Sequence, residues 1–402
     1  MMSRGSELLP DGRSAGASAR RLAEWVYVLA VTTALALAAR SPAYNWDLIP
    51  YTGVVLEIET RDVERLHART YAEVERAVSP EVFATLTRGS YRGRVFEDPR
   101  VFHEQLGLNR IRPLFIALVY ILHKCSVPIV TAIALVSLVS AAGMAVMIRR
   151  LHRRAFSPVA GALVAFLVVV VSGCLEVARL YTPDALANVL LLVGVDRIVH
   201  RRLRLATLFL GLSLLARPDN IVYLGGIVLY SMFLAPREYR MPLRIGIAVL
   251  SAATLVALLI HRLAGGFGWN ALFYASFVER ILRPSLFQPT IEPAQYFGVL
   301  AAASRNCLLS GDRFFLVALL GVVGFVSRDS SDPSSILRRD LILLMLGCMA
   351  ARFLLYPTPD GRFFVAPYAI VCVAAIARIA AHTGHRPRPS VDDGRPMDAG
   401  TR

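Results

Sequence analysis

Acids are scarce near the apolar stretches of this sequence, and those that occur come in short polar motifs at the stretch ends. The first motif is Ala43-Tyr44-Asn45-Trp46-Asp47-Leu48-Ile49-Pro50-Tyr51. A carboxylate at Asp47, just beyond an apolar run and flanked by Tyr44, Trp46 and Tyr51, can take a proton from a hydroxyl. A helix-ending turn with interfacial aromatics accounts for the same residues. The second motif runs from Glu176 through Arg179 to Thr182-Pro183-Asp184. Thr182 is placed to cap a helix with Pro183 in its first position, and a helix dipole favours Asp184 there. Its functional counterpart is a second carboxylate that orients an acceptor or holds a divalent cation such as Mg or Mn.

Arg217-Pro218-Asp219-Asn220 forms a third motif. Pro218 restricts Arg217 to an extended backbone. The group reads as a tight turn with a salt bridge, or as a phosphate contact through Arg217. The last motif, Asp360-Gly361-Arg362, precedes an apolar run. A cation at a helix start opposes the dipole, so Arg362 calls for an anionic partner, lipid phosphate or Asp360. Each motif alone is explained by a turn. Together, four separate segments put acid and arginine on the same side of the apolar stretches, where ionisable groups are costly and usually functional.

The elements that must position these residues are apolar. Ten stretches qualify, at about 22–39, 127–148, 156–172, 185–199, 203–216, 220–235, 243–261, 313–327, 341–356 and 363–381. The expected fold is an all-α polytopic membrane protein with about ten transmembrane helices (range 9–12). Arginine clusters at 149–154, 197–204, 237–244 and 328–339, and in the tail from Arg378, alternate with stretch ends that carry fewer. The positive-inside rule then puts the N-terminal tail (1–21) and the polar, disordered tail (383–402) in the cytoplasm. Residues 22–382 form the membrane domain. The extracytoplasmic side receives a long first loop (41–124) and a second large one (262–312). Helical spacing over 59–78 suggests short amphipathic helices on the membrane surface. The run 113–122 is too short to span and reads as a re-entrant helix. Aromatics Trp269, Phe273, Tyr274, Phe277, Phe287 and Tyr296 suit an interfacial lid or plain anchoring.

Composition agrees with this reading. The 402 residues are 55% hydrophobic and only 18% charged, against roughly 25% charged in a soluble domain. Mean hydropathy is +0.53. An ordinary cytosolic enzyme, a disordered chain, a coiled coil and a disulfide-stapled module are all excluded. The net charge of +15 is not a sign of nucleic acid, because the basic residues sit between apolar runs and set orientation. The five cysteines show no metal-ligand spacing and read as small apolar residues.

The order of motifs resembles the GT-C superfamily of polytopic glycosyltransferases: Asp47 soon after the first helix, a long outer loop, Arg112-Pro113-Leu114, Thr182-Pro183-Asp184-Ala185-Leu186-Ala187, Arg217-Pro218-Asp219-Asn220, and Asp360-Gly361-Arg362-Phe363. Bacterial relatives include lipid-linked mannosyl- and arabinosyltransferases and the aminoarabinose transferase of lipid A. The resemblance implies a sugar carried on a polyprenyl phosphate and handed, at the outer face of the bacterial cytoplasmic (inner) membrane, to a lipid, glycan or protein acceptor. It implies Asp47 as the catalytic carboxylate, Asp184 as the second acidic position, and Arg217 and Arg362 at the donor phosphate. Tyr44, Trp46, Tyr51, Glu176, Arg179, Asp219 and Asp360 complete the expected binding set. The sequence departs from the family in lacking an acidic doublet at Asp47 and in carrying Ile111-Arg112-Pro113-Leu114 where relatives often have His-Pro-Pro-Leu. A transporter or flippase, and a non-catalytic assembly factor on the same scaffold, are the alternatives.

Overall fold

The structure is a computed structural model that describes residues 12–152, 156–287, 289–309, 313–327 and 332–382. The ends 1–11 and 383–402, with their expected tails, lie outside the described residues, as do parts of the arginine clusters near 153 and 328. Among the described residues the chain is all α-helix, without strands; one parallel bridge joins Ala43 and Leu180.

A long α1 (Gly12–Arg40) is followed by five short helices: α2 (Leu48–Glu57), α3 (Val63–Ala77), α4 (Pro80–Thr87), α5 (Ser90–Glu97) and α6 (Pro99–Leu106). Next come α7 (Pro113–Lys124), α8 (Ile129–His152), α9 (Pro158–Val171), α10 (Cys174–Arg179), α11 (Asp184–Val199), α12 (Leu203–Ala216) and α13 (Ile221–Phe233). The chain continues through α14 (Leu243–Leu263), α15 (Gly268–Phe277), α16 (Pro293–Leu309), α17 (Arg313–Val326), α18 (Pro333–Leu355) and α19 (Val365–His382). Proline punctuates this order. Ser79-Pro80, Asp98-Pro99 and Asp332-Pro333 each pair a side-chain cap with a proline in the first turn, which satisfies orphan N–H groups and pre-sets φ.

Each of the ten apolar stretches is a helix, but length separates them as spans. Four helices, α1 from Ser18, α8, α14 and α19, are long and apolar enough to cross a membrane, and α16 with α17, bent by 78°, would make a fifth. By length and composition, four or five spans are supported among the described residues. A 14-residue helix such as α9 or α12 covers about 21 Å at 1.5 Å per residue, against a hydrocarbon layer of about 30 Å. The outward faces are apolar as well: Leu255, Leu258 and Leu259 on α14 and Trp25, Val26 and Leu29 on α1 are exposed. So large an apolar surface fits a membrane protein and not a water-exposed one.

Two hydrophobic cores share α8 and α11. One gathers α1, the inner half of α8, and α9–α14 with α17–α19; Tyr27, Val31 and Leu35 bring α1 into it. The other gathers α2–α7 with Ile129 to Val136 of α8 and with Leu186 and Ala187 of α11. The short helices of the first loop therefore bury their apolar stripes on one another; in α3 the stripe is Leu66, Thr70, Tyr71 and Val74. The 262–312 segment, expected as a loop, carries the helices α15 and α16; α15 buries Ala271, Phe273 and Ala275, whereas α16 buries only Ala303. Close approach between α17 and α19 depends on Gly324, where a Cβ would stand 2.5 Å from the Ala375 backbone.

The helix ends sort into two poles. At one, Arg150 Nε lies 3.1 Å from Asp196, Arg201 pairs with Glu238, and the Tyr230 hydroxyl donates to Asp340 at 2.9 Å. This pole collects the arginine-rich turns. Asp47, Asp184, Arg217, Asp219, Asp360 and Arg362 gather at the other, where the two cores meet.

Candidate functional site

Four connections build the site. Asp47 ends the turn before α2 and receives hydrogen bonds from Asn45 Nδ2 and from Arg362 Nη1, both at 3.0 Å. Asp184 opens α11 and is 1% exposed. One of its oxygens pairs with Arg217 Nη1, while the other accepts from the Thr182 hydroxyl at 2.7 Å and lies 3.7 Å from Arg362. Thr182 therefore serves the carboxylate. It does not cap α11, whose capping position falls to Pro183 without a side-chain bond. Arg217 follows α12 in the extended conformation that Pro218 imposes, with φ −150° and ψ 114°. Its fork grips Asp219 through Nε at 3.0 Å and Nη2 at 3.1 Å. Asp219 does not cap α13, whose capping position is Asn220; Arg352 Nε and Nη2 reach the same carboxylate at 2.9 and 2.7 Å. Asp360 pairs with Arg362 Nε at 2.7 Å. The anionic partner that Arg362 calls for is thus supplied by Asp360 and Asp47 together.

The three arginines also share an aromatic ring. Arg217, Arg352 and Arg362 place their guanidinium carbons 4.2, 4.4 and 4.8 Å from the centre of Phe363. Phe363 thereby holds three cations at distances where the ring quadrupole attracts them. Asn188 fixes the segment that carries it: Nδ2 donates to the Asp184 and Arg362 carbonyls, and Oδ1 accepts from Ala366 N at 2.9 Å.

These groups line a cavity of about 600 Å³ that holds four aspartates (47, 184, 219 and 360) and five arginines (112, 217, 280, 352 and 362). Trp46, Tyr51, Trp269 and Phe277 supply aromatic wall. α15 covers one side and is tied down by Trp269 Nε1 donating to Leu355 O and by the Tyr356 hydroxyl donating to Ser276. Charge is strongly managed here. Desolvation alone would raise the Asp219 carboxyl, but Arg217 and Arg352 outweigh it and hold it well below the usual carboxylate range. Desolvation likewise opposes the Arg362 charge, and Asp47 and Asp360 more than offset it. Burial pushes the Tyr51 hydroxyl up to about 12, with Arg112 opposing and Asp47 adding, so Tyr51 stays a hydrogen-bond donor at neutral pH.

Several buried donors of the lining have no hydrogen-bond partner: Trp46 Nε1, Arg112 Nε, Arg362 Nε (ion-paired with Asp360) and Arg352 Nη1. Arg352 is 2% exposed. A buried, unpaired guanidinium N–H costs free energy unless an acceptor meets it. An apolar groove of about 390 Å³ between α16, α17, α18 and α19 shares Thr358 with the charged cavity and includes Phe353, Phe364 and Tyr368. Phe364 also lies 5.1 Å below the Arg352 guanidinium. The arrangement suits an amphipathic anion, its charged head among the cavity arginines and its apolar tail in the groove.

Of the expected residues, Trp46, Asp47, Tyr51, Asp184, Arg217, Asp219, Asp360 and Arg362 come together at this cavity. Three stand outside its lining. Tyr44 stacks on Tyr181 at 5.0 Å, Glu176 pairs with Arg313, and Arg179 donates to the Ser41 carbonyl. Among the described residues no three His, Cys, Asp or Glu are grouped to hold a metal ion; each cavity carboxylate has an arginine against it. Sequence reasoning missed Arg352 and Asn188. Arg352 had a signal, as a lone arginine one turn before the end of an apolar run with no acid beside it. Comparison with protein families, with curated proteins and with solved structures finds no match to this chain.

Proposed function

We propose that the protein is a polytopic membrane glycosyltransferase of the GT-C type. It moves a sugar from a polyprenyl phosphate to a lipid, glycan or protein acceptor at the extracytoplasmic face of the bacterial inner membrane. In this reading about ten helices cross the bilayer, both termini are cytoplasmic, and the pole with the charged cavity faces out. The observation that carries it is one cavity that joins Asp47 to the arginines 217, 352 and 362 and shares Thr358 with an apolar groove.

The chemistry follows from those positions. The acceptor oxygen bonds to the anomeric carbon as the bond from that carbon to the phosphate oxygen breaks. The acceptor proton passes to Asp47, and polyprenyl phosphate leaves. Such a single displacement inverts the anomeric centre. Charge growing on the phosphate meets Arg352, with Arg217 and Arg362 close by, which is where electrostatic stabilisation acts most strongly. Arg362 now holds Asp47; a phosphate oxygen reaching Arg362 would loosen that pair and leave Asp47 for the acceptor hydroxyl. Asp184, anchored by Arg217 and Thr182, fixes the arginines.

The test is turnover by purified protein supplied with a polyprenyl-phosphate sugar, together with the glycolipid profile of a deletion strain. Asp47→Asn is expected to lower kcat by about 10²–10⁴-fold, the usual span for a lost general base. Full turnover by that variant overturns the role of Asp47. Uptake of lipid or solute by reconstituted vesicles without a covalent product overturns the transferase reading in favour of a transporter.

A further inference from the structure

The charged cavity has a neighbour. Trp46, Asp47, Tyr91 and Arg280 also line a second hollow of about 370 Å³, whose far wall is the turn Arg88-Gly89-Ser90 and Arg92 between α4 and α5. The turn is possible because Gly89 takes φ +104°, a left-handed value that side chains disfavour. It sets Arg88 and Arg92 on the same hollow, and Ser90 opens α5 there, adding the positive end of a helix dipole.

The arginines of this hollow differ from those beside Phe363. Arg217, Arg352 and Arg362 are each bound to carboxylates, whereas among the described residues Arg88, Arg92 and Arg280 form no ion pair. Arg92 gives one N–H to the Thr85 carbonyl at 2.8 Å, and Arg280 lies 5.8 Å over the Tyr91 ring. The walls are held in register by Gln105, itself 1% exposed. It accepts from the Tyr91 hydroxyl at 2.7 Å and donates to the Ile281 and Leu282 carbonyls, both at 2.9 Å. Ser285 adds a hydrogen bond to Glu104 at 2.6 Å. Arg280 and α5 therefore face each other across a braced gap. On its floor Trp46 and Tyr91 lie 5.5 Å apart, and Trp46 Nε1 is buried without a partner.

We propose that this hollow is the acceptor subsite and that it takes an acidic sugar chain, one bearing carboxylate or phosphate. Aromatic faces suit sugar rings. Three guanidinium groups with no carboxylate of their own suit planar, bidentate anions. A neutral glycan would leave those charges unanswered. The proposal rests on the transferase reading in one respect: Asp47, common to both hollows, is the base between donor and acceptor.

The test uses the full chain in nanodiscs and follows tryptophan fluorescence or heat of binding. The probes are tetragalacturonate, a phosphorylated mannose oligomer, and neutral maltotetraose. At least one acidic probe is expected to bind about tenfold or more tighter than maltotetraose, an advantage of about 1.4 kcal/mol, and to lose much of it at high salt. The two acidic probes distinguish carboxylate from phosphate. The combined variant Arg88→Gln, Arg92→Gln, Arg280→Gln should bind all three probes alike while its melting temperature stays at the wild-type value. Equal binding of all probes by the wild type, or a preference that survives in the variant, overturns the proposal. The two readings fail separately. Acidic binding without sugar transfer from any polyprenyl-phosphate donor defeats the transferase reading and leaves the subsite. Transfer that is blocked by Asp47→Asn but indifferent to acceptor charge defeats the subsite alone.

Discussion

Asp219 accepts from two arginines, and it is the only carboxylate paired with the buried Arg352 among the described residues, whereas Arg217 also holds Asp184. Asp219→Asn is expected to cost about 3 kcal/mol or more, read as a lowered melting temperature in detergent. The pH dependence has a definite sign. A carboxyl held below its ordinary value contributes stability that is fully present above the unfolded pKa of about 3.9 and is lost as pH falls through the lower folded value. Wild type and Asp219→Asn should therefore differ by a constant amount from neutral pH down to about 4 and converge only in stronger acid. Arg352 carries a second prediction. Arg352→Gln should weaken binding of polyprenyl phosphate about tenfold or more, and Arg352→Lys should restore part of it, since a point charge replaces a fork. Unchanged binding in Arg352→Gln would show that the free N–H meets no phosphate. Asp47, Asp184, Arg217 and Arg362 were legible in the sequence because they stand in short polar motifs at the ends of apolar runs. Glu176, Arg179 and Tyr44 obey the same rule, yet they stand outside the cavity lining, which spacing in one motif cannot reveal.

At the scale of elements, hydropathy and proline located the ten apolar helices, since both act within a few residues. Pairing between helices depends on closer detail. Gly324 lets α17 lie on α19, and Gly324→Ala should destabilise by about 1–3 kcal/mol through overpacking. A Cβ added at Gly211 in α12 would meet nothing within 4 Å, so Gly211→Ala should be neutral or stabilising, as usual for glycine inside a helix. Thermal melting of the two variants side by side separates contact from helix propensity. Asn188 illustrates what local patterns cannot supply. It looks like one polar residue in an apolar helix, and only the packed fold brings it to Arg362 and Ala366.

For the whole molecule, the segregation of charge is the main finding. Arginine-rich turns occupy one pole, and the acid–arginine cavity occupies the other, between a core of long helices and a core of short ones. If the cavity pole faces outward as proposed, Cys125, exposed just after α7, should react with a membrane-impermeant maleimide in intact cells, and Cys125→Ser should lower that labelling. Protection of Cys125 until the membrane is opened would reverse the orientation. The sequence alone determined the all-α class, the apolar helices and the alternation of their charged ends, because hydropathy and charge are properties of neighbouring residues. It could not decide how many helices are long enough to span, nor that the first-loop helices form a core of their own. Nor could it decide that Arg352 joins Arg217 and Arg362 at the cavity. Those outcomes depend on helix rotation and on contacts between residues far apart in the chain, as between Asp47 and Arg362 or Asp219 and Arg352, and only tertiary packing sets them.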